Sequence, residues 1–207
     1  GTTAWRLAAS LEARQGLDLF GASPDCLANP AACAGIVPPS LLNGSATPTV
    51  MRFTGLAEAR LGRRISLVIQ PRAQIASGAV LGFERFALGN FTVGRGFGPG
   101  VLTGDDGAAF STELRHDALM LDEQARLALL PYLFADAGWA WSRGGTATGA
   151  NPVSLASAGA GTRVVLDDRA RLDLSGAVAL KAAGPTRAGD VRLLLTLTTR
   201  ILPWRTR

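Results

Sequence analysis

Apolar and polar residues alternate along most of the chain. In WRLAASLEAR the odd positions Trp5, Leu7, Ala9, Leu11 and Ala13 are apolar, while Arg6, Ser10, Glu12 and Arg14 are polar and Ala8 is small. Successive side chains of a strand point to opposite faces, so this period of two predicts a β-ribbon with one apolar and one polar face. The same alternation predicts a strand over 49–60, where Met51 and Phe53 oppose Arg52, Thr54 and Glu58. Over 64–76, Ile65, Leu67, Ile69 and Ile75 oppose Ser66, Gln70, Arg72 and Gln74. Over 108–119, Phe110 and Leu114 oppose Ser111, Glu113 and Arg115. Four more strands are predicted over 125–141 (Leu133, Trp139 and Trp141 against Asp136), 154–166 (Val164 and Leu166 against Ser157 and Arg163), 170–181 (Leu172 and Leu174 against Arg171 and Asp173) and 191–201 (Leu193 and Leu195 against Arg192 and Thr196).

Most of these eight strands exceed the five or six residues usual in globular sheets. About ten residues is what a tilted strand needs to cross a bilayer. Full charges in mid-strand, such as Arg72 and Glu113, suit a watered lumen better than a closed core. Connector lengths alternate as well. Short links fall at LGRR, LDEQ and LDDR, and long ones at 21–48, 77–107, 142–153 and 182–190. Short turns on one side and long loops on the other match an outer-membrane barrel with periplasmic turns and external loops. The expected fold is therefore all-β: an antiparallel up-and-down transmembrane β-barrel with about eight strands present. Trp5, Phe53, Phe110, Trp139 and Leu195 should face lipid, and Arg72, Glu113, Asp136 and Arg163 the lumen.

Composition narrows the function. The chain carries a net charge of +5, but its basic residues are scattered singly apart from Arg63 and Arg64, with no run of the kind that binds nucleic acid. Cys26 and Cys33, in SPDCLANPAACAG, either close a small disulfide loop in an oxidising compartment or stay as free thiols in a loop; a location outside the cytosol favours the disulfide. No CxxC pair occurs and His116 is the only histidine, which argues against a zinc site. His116 precedes Asp117, yet no serine sits in a nucleophile elbow, so no catalytic constellation is expected and His116 reads as a rim residue at the end of its strand.

FALGNFTVGRGFGPG, from Phe86 to Gly100, sets five glycines and three phenylalanines around one cation, Arg95. On its residues alone Arg95 is either a solvated loop arginine or a guanidinium held by an acceptor elsewhere. A phosphate-binding glycine loop would need a strand–loop–helix context that is missing. The longer stretch FERFALGNFTVGRGFGPGVLTGDDGAAFSTELR resembles the loop and following strand of the two-partner-secretion transporters, the haemolysin and filamentous-haemagglutinin secretion/activation proteins. Glu84, Phe86, Leu88 and Gly89 match the pattern E-x-F-x-L-G-G, whose second glycine is Asn90 here. Arg95, Gly96 and Phe97 match an R-G-[FY] tip, and Gly94 stands where relatives often have Val or Ile. Gly104, Asp105 and Gly107 match G-D-x-G, with Asp106 where relatives often carry Arg, and Glu113, Leu114 and Arg115 match E-L-R. Phe134, Asp136 and Gly138 fit an F-x-D-x-G element, and Ser157, Gly159, Gly161 and Arg163 an S-x-G-x-G-x-R strand. The resemblance covers nearly the whole chain and is weakest over 21–48. Relatives usually finish on an aromatic residue, a part Trp204 would take here.

The resemblance implies an outer-membrane pore that secretes an unfolded exoprotein, a haemolysin or filamentous adhesin, without catalysis, cofactor or metal. Its partners would be that exoprotein, outer-membrane lipid and the barrel-assembly machinery. Such transporters carry two periplasmic POTRA domains and sixteen strands. With neither a POTRA pattern nor more than eight strands, residues 1–207 are expected to form one segment, the C-terminal half of the barrel. The resemblance also implies that the long loop folds into the lumen and sets its tip arginine against the inner wall. Asp136, opposite Trp139 and Trp141, is the inward carboxylate for Arg95, with Phe134 and Gly138 beside it and Glu113 as a second partner. Phe97 would pack near the wall, and Gly96 permits close backbone approach. Two other readings stay open: an insertase for barrel proteins, and a passive porin or soluble ligand-binding barrel.

Overall fold

A computed structural model describes residues 4–34, 41–89, 93–122, 124, 126–143, 152–167 and 169–200. Asn90 and Trp204 lie outside them. The strands in chain order are β1 (Trp5–Gln15), β2 (Thr49–Arg60), β3 (Ile65–Ala76), β4 (Phe86–Leu88), β5 (Leu102–Gly104), β6 (Asp106–His116), β7 (Leu119–Asp122), β8 (Leu127–Trp141), β9 (Val153–Leu166), β10 (Ala170–Ala179) and β11 (Val191–Thr199). Eight long strands form one antiparallel sheet in the order β1-β2-β3-β6-β8-β9-β10-β11, each beside its neighbour in sequence. Short β7 adds to β8, and β4 and β5 make a separate ribbon inside the long 77–105 connection. Among the described residues β1 and β11 are the two free edges, so the sheet is a curved part of a barrel wall and not a closed ring.

The alternation of the sequence becomes the two faces of this sheet. Trp5, Phe53, Phe110, Trp139 and Leu195 all stand exposed on the outer face, and Phe110 and Trp139 meet across β6 and β8 with ring centroids 6.2 Å apart. An apolar band this large belongs against lipid and not water. Register then stacks the inner face into rows. One runs Ser111–Asp136–Ser157–Ala179, and the next runs Glu113–Phe134–Gly159–Ala177.

The structure departs from the sequence reading in two ways. The strand expected over 108–119 starts two residues earlier and stops at His116, after which β7 resumes as a separate short strand. The inner face is also not uniformly watered. Asp136 and Glu113 are buried, as are Ala109, Ala140, Leu155 and Ala179, because the 77–105 connection lies over them. Small side chains on β6, β8, β9 and β10 leave the depth that this inserted segment fills.

Two peripheral expectations concern the ends of strands. Cys26 and Cys33 are joined by a disulfide, Cα atoms 5.6 Å apart, in the β1–β2 connection. The Asp25 carboxylate there accepts the N–H groups of Leu27 and Ala28, both at 2.9 Å. His116 closes β6, its Nδ1–H donating to the Asp117 carbonyl at 2.8 Å.

Candidate functional site

The inserted connection is held at its root, along its sides and at its tip. At the root, Arg52 of β2 donates to the Glu84 carbonyl (3.0 Å) and carboxylate (2.5 Å), and Arg14 of β1 donates to the other Glu84 oxygen at 3.0 Å. Gln74 of β3 donates to the carbonyls of both Glu84 and Asp105 at 2.9 Å, clamping the two ends of the connection together. The buried Asp105 carboxylate accepts the N–H groups of Val80 (2.9 Å) and Arg143 (2.6 Å). Its neighbour Asp106 takes the Ala76 N–H and the Arg143 guanidinium, so the acid found where relatives often carry Arg has a cation of its own.

Beyond the β4–β5 ribbon the chain turns tightly at Gly94–Phe97, closed by the Phe97 N–H donating to the Gly94 carbonyl. Gly94 has φ +101°, a conformation open to glycine and strained for other residues. A Cβ on Gly96 would lie 2.9 Å from Ser157 Cβ and 3.1 Å from the Ala179 backbone nitrogen, so only glycine lets the tip come this close to the wall. Phe97 is fully buried, in a cluster with Leu88, Val93, Ala109, Leu155 and Ala179. The turn thereby directs Arg95 along the inner wall.

The Arg95 guanidinium is bonded along every edge. Its Nε and Nη2 donate to the two Asp136 oxygens at 3.0 and 2.8 Å, a bidentate pair. Nη2 also donates to Ser111 Oγ at 2.9 Å, and Nη1 to Glu113 at 2.7 Å. The backbone N–H groups of Gly94 and Arg95 donate to the same Asp136 oxygen, at 3.3 and 3.0 Å. The guanidinium carbon stands 3.6 Å from the Phe134 ring centroid. Side-chain exposure is 16% for Arg95, 6% for Glu113 and 1% for Asp136, so this pair is largely desolvated.

The architecture and the ordered motifs invite comparison with known proteins. Residues 2–164 match the model of the haemolysin secretion/activation protein family ShlB/FhaC/HecB. The chain belongs to that family. Among solved structures, CdiB from Escherichia coli superposes with a TM-score of 0.67 over 94% of this chain, at 17% sequence identity. At that identity the likeness shows the fold, and the chain spans 33% of the length of CdiB. A comparison with curated proteins gives no match. The sheet is accordingly outer-membrane barrel wall, its exposed apolar face turned to lipid.

In this member of the family the charge network runs on past Arg95. Glu113 also receives Arg163 of β9 at 2.9 Å and Arg115 at 2.7 Å. Arg163 Nε reaches Asp173 of β10 at 2.9 Å, and Asp173 accepts the Tyr132 hydroxyl at 2.6 Å. Phe134 and Tyr132 lie flat on the wall because the residues opposite them are Gly159 and Gly161. A Cβ there would fall 2.6 Å from Phe134 Cζ and 2.5 Å from Tyr132 Cζ. The rings in turn carry Arg95 and Arg163, the latter 4.1 Å from the Tyr132 centroid. The glycines of the S-x-G-x-G-x-R strand are thus seats for aromatic rings, as Gly138 is for Leu88 of the loop.

Sequence reasoning missed Tyr132, Ser111 and Asp173 as members of this network. Parity offered a signal, since all three share the inward register of Glu113 and Asp136. Parity alone does not say which inward residues touch.

The packing of the tip makes a separate prediction. Phe97→Ala should unseat the tip at a cost of about 3–5 kcal/mol, whereas Phe97→Leu, closer in volume, should cost less than about half of that. In the full-length protein the alanine variant should be cleaved within 77–105 by a protease that leaves the wild type and the leucine variant intact. Equal resistance of all three would show that Phe97 does not hold the loop.

Proposed function

We propose that this chain is the C-terminal half of the barrel of an outer-membrane transporter that secretes an unfolded exoprotein, a haemolysin or filamentous adhesin, by two-partner secretion. In this reading its partners are the exoprotein, the surrounding lipid and the machinery that assembles the barrel. Loop residues Arg95, Gly96 and Phe97, with wall residues Phe134, Asp136, Gly138 and Glu113, form a latch that sets the position of the loop in the lumen. The observation that carries the reading is the desolvated Arg95–Asp136 pair inside a family barrel. A surface loop of a passive pore has no need for a guanidinium with all its edges satisfied and its flanking glycines pressed on the wall. The latch does no chemistry. It fixes which part of the lumen is open, and an ion pair can be exchanged for other charge-assisted bonds without a covalent step.

Deletion of the gene separates this reading from the insertase alternative. The expected result is loss of the exoprotein from the medium, with unrelated outer-membrane barrels at their normal amounts. Normal secretion together with depleted barrels would make the protein an insertase.

A further inference from the structure

The inner wall is unevenly neutralised. Over β6, β8 and β9, Arg95 of the loop and the strand residues Arg115 and Arg163 each meet a carboxylate. On the β2–β3 side it is otherwise. Arg72 sits midway along β3, opposite Thr54 and Ala109, and is half-buried. Its guanidinium lies 5.4 Å from the Phe86 ring centroid and, among the described residues, makes no hydrogen bond or ion pair. Arg85 donates from Nη2 to the Thr103 carbonyl (3.2 Å) and the Ser142 hydroxyl (2.6 Å), both neutral oxygens. Its Nε–H is buried with no acceptor among the described residues. Arg52 stands beside them, but its carboxylate, Glu84, is already shared with Arg14.

These groups line one pocket of about 250 Å³, together with Thr54, Gln74 and Phe86. It is smaller than the roughly 300–1,000 Å³ of sites for whole small ligands, which leaves room for one acidic side chain. A half-buried cation without a counter-ion is costly, and a carboxylate offering four lone pairs relieves it. Guanidinium forks match that planar group, and Thr54 adds a hydroxyl.

We infer that this pocket, lined by Arg72 and Arg85, binds the carboxylate of an Asp or Glu side chain on an extended polypeptide in the lumen. The inference rests on the secretion reading for the identity of that polypeptide, the exoprotein in transit. The site lies on the wall beside the root of the loop, so an extended strand running past the latch would present every second side chain to it.

The test uses the full-length protein in detergent and a dye-labelled hexaaspartate peptide, with hexaserine as the uncharged control, read by fluorescence anisotropy. The wild type should bind hexaaspartate and not hexaserine. Arg72→Gln and Arg85→Gln should each weaken binding about tenfold, while Arg72→Lys, which keeps the charge, should fall between the wild type and Arg72→Gln. Arg171→Gln removes one charge from exposed β10 and should leave binding unchanged. Equal weakening by Arg171→Gln would reduce the effect to net charge and overturn the site. Failure of the wild type to prefer hexaaspartate would overturn it without any variant. Neither result depends on secretion, so the peptide assay can fail while the gene-deletion experiment succeeds, and the reverse.

Discussion

Replacing Arg95 by Ala in the full-length protein is expected to cut the exoprotein in the medium by about tenfold or more, with the amount of barrel in the outer membrane nearly unchanged. The reason lies in how the two parts are held. The wall stands on continuous antiparallel ladders from β1 to β11, none of which uses Arg95. The loop tip is held by that guanidinium, which spans Asp136, Glu113 and Ser111, together with buried Phe97. Breaking a buried pair by removing one partner costs about 3–5 kcal/mol, much of it from the charge left behind. Here the abandoned charge is Asp136, with 1% of its side chain exposed. Asp136→Ala should therefore resemble Arg95→Ala, and the double variant should lose less than the sum of the two, because both remove the same bidentate pair. Arg95→Lys should recover only part, since an ammonium cannot reproduce the bidentate fork while also reaching Glu113. Full secretion by Arg95→Ala, or strictly additive losses in the double variant, would sink the latch.

The second large effect is expected at Glu113 and is read through stability. Glu113 sits on β6 and accepts from Arg95 of the loop, Arg115 of its own strand and Arg163 of β9. Glu113→Ala would leave three guanidiniums short of their shared counter-charge in a site with 6% exposure. The loss should be about 3–5 kcal/mol, and Arg163 would keep only Asp173. Measured as the temperature at which the folded barrel opens in mild detergent, Glu113→Ala should fall below both Arg95→Ala and Asp136→Ala. Adding Arg163→Leu to Glu113→Ala should restore part of the loss, since it removes one of the stranded cations. If Glu113→Ala unfolded at the wild-type temperature, the three contacts would be solvent-screened pairs of little worth.

Glu113 also marks where sequence reasoning weakens. Its inward direction was readable from Phe110 and Leu114 on the opposite parity, yet it ranked as a secondary partner of Arg95. In the structure it joins the loop to two strands. The difference is register. Glu113 lies opposite Phe134, and Phe134 opposite Gly159. The flat ring leaves Arg95 and Arg163 in reach of the same carboxylate from either side, and nothing within a single strand encodes that. The seating of Phe97 had a similar fate. Small residues at Ala109, Ala140 and Ala179 are visible in the chain, but they form a hollow only once β6, β8 and β10 are curved beside one another.

What the sequence determined by itself was the period of two. From it came the eight long strands, the lipid and lumen faces, and the class of fold. Each of these depends only on side chains alternating along a strand and on apolar surface leaving water, which are local facts. The ordered motifs placed the chain among its relatives for the same reason, since each motif is a short contiguous stretch of sequence. Tertiary structure alone decided the partners that no motif announces: Glu84 on Arg52 and Arg14, and Arg72 left without an acid among the described residues. Those pairings join residues 32 to 70 positions apart. They are set by strand register and by the depth to which the loop can sink between small wall residues, and both emerge only when the strands stand side by side in the sheet.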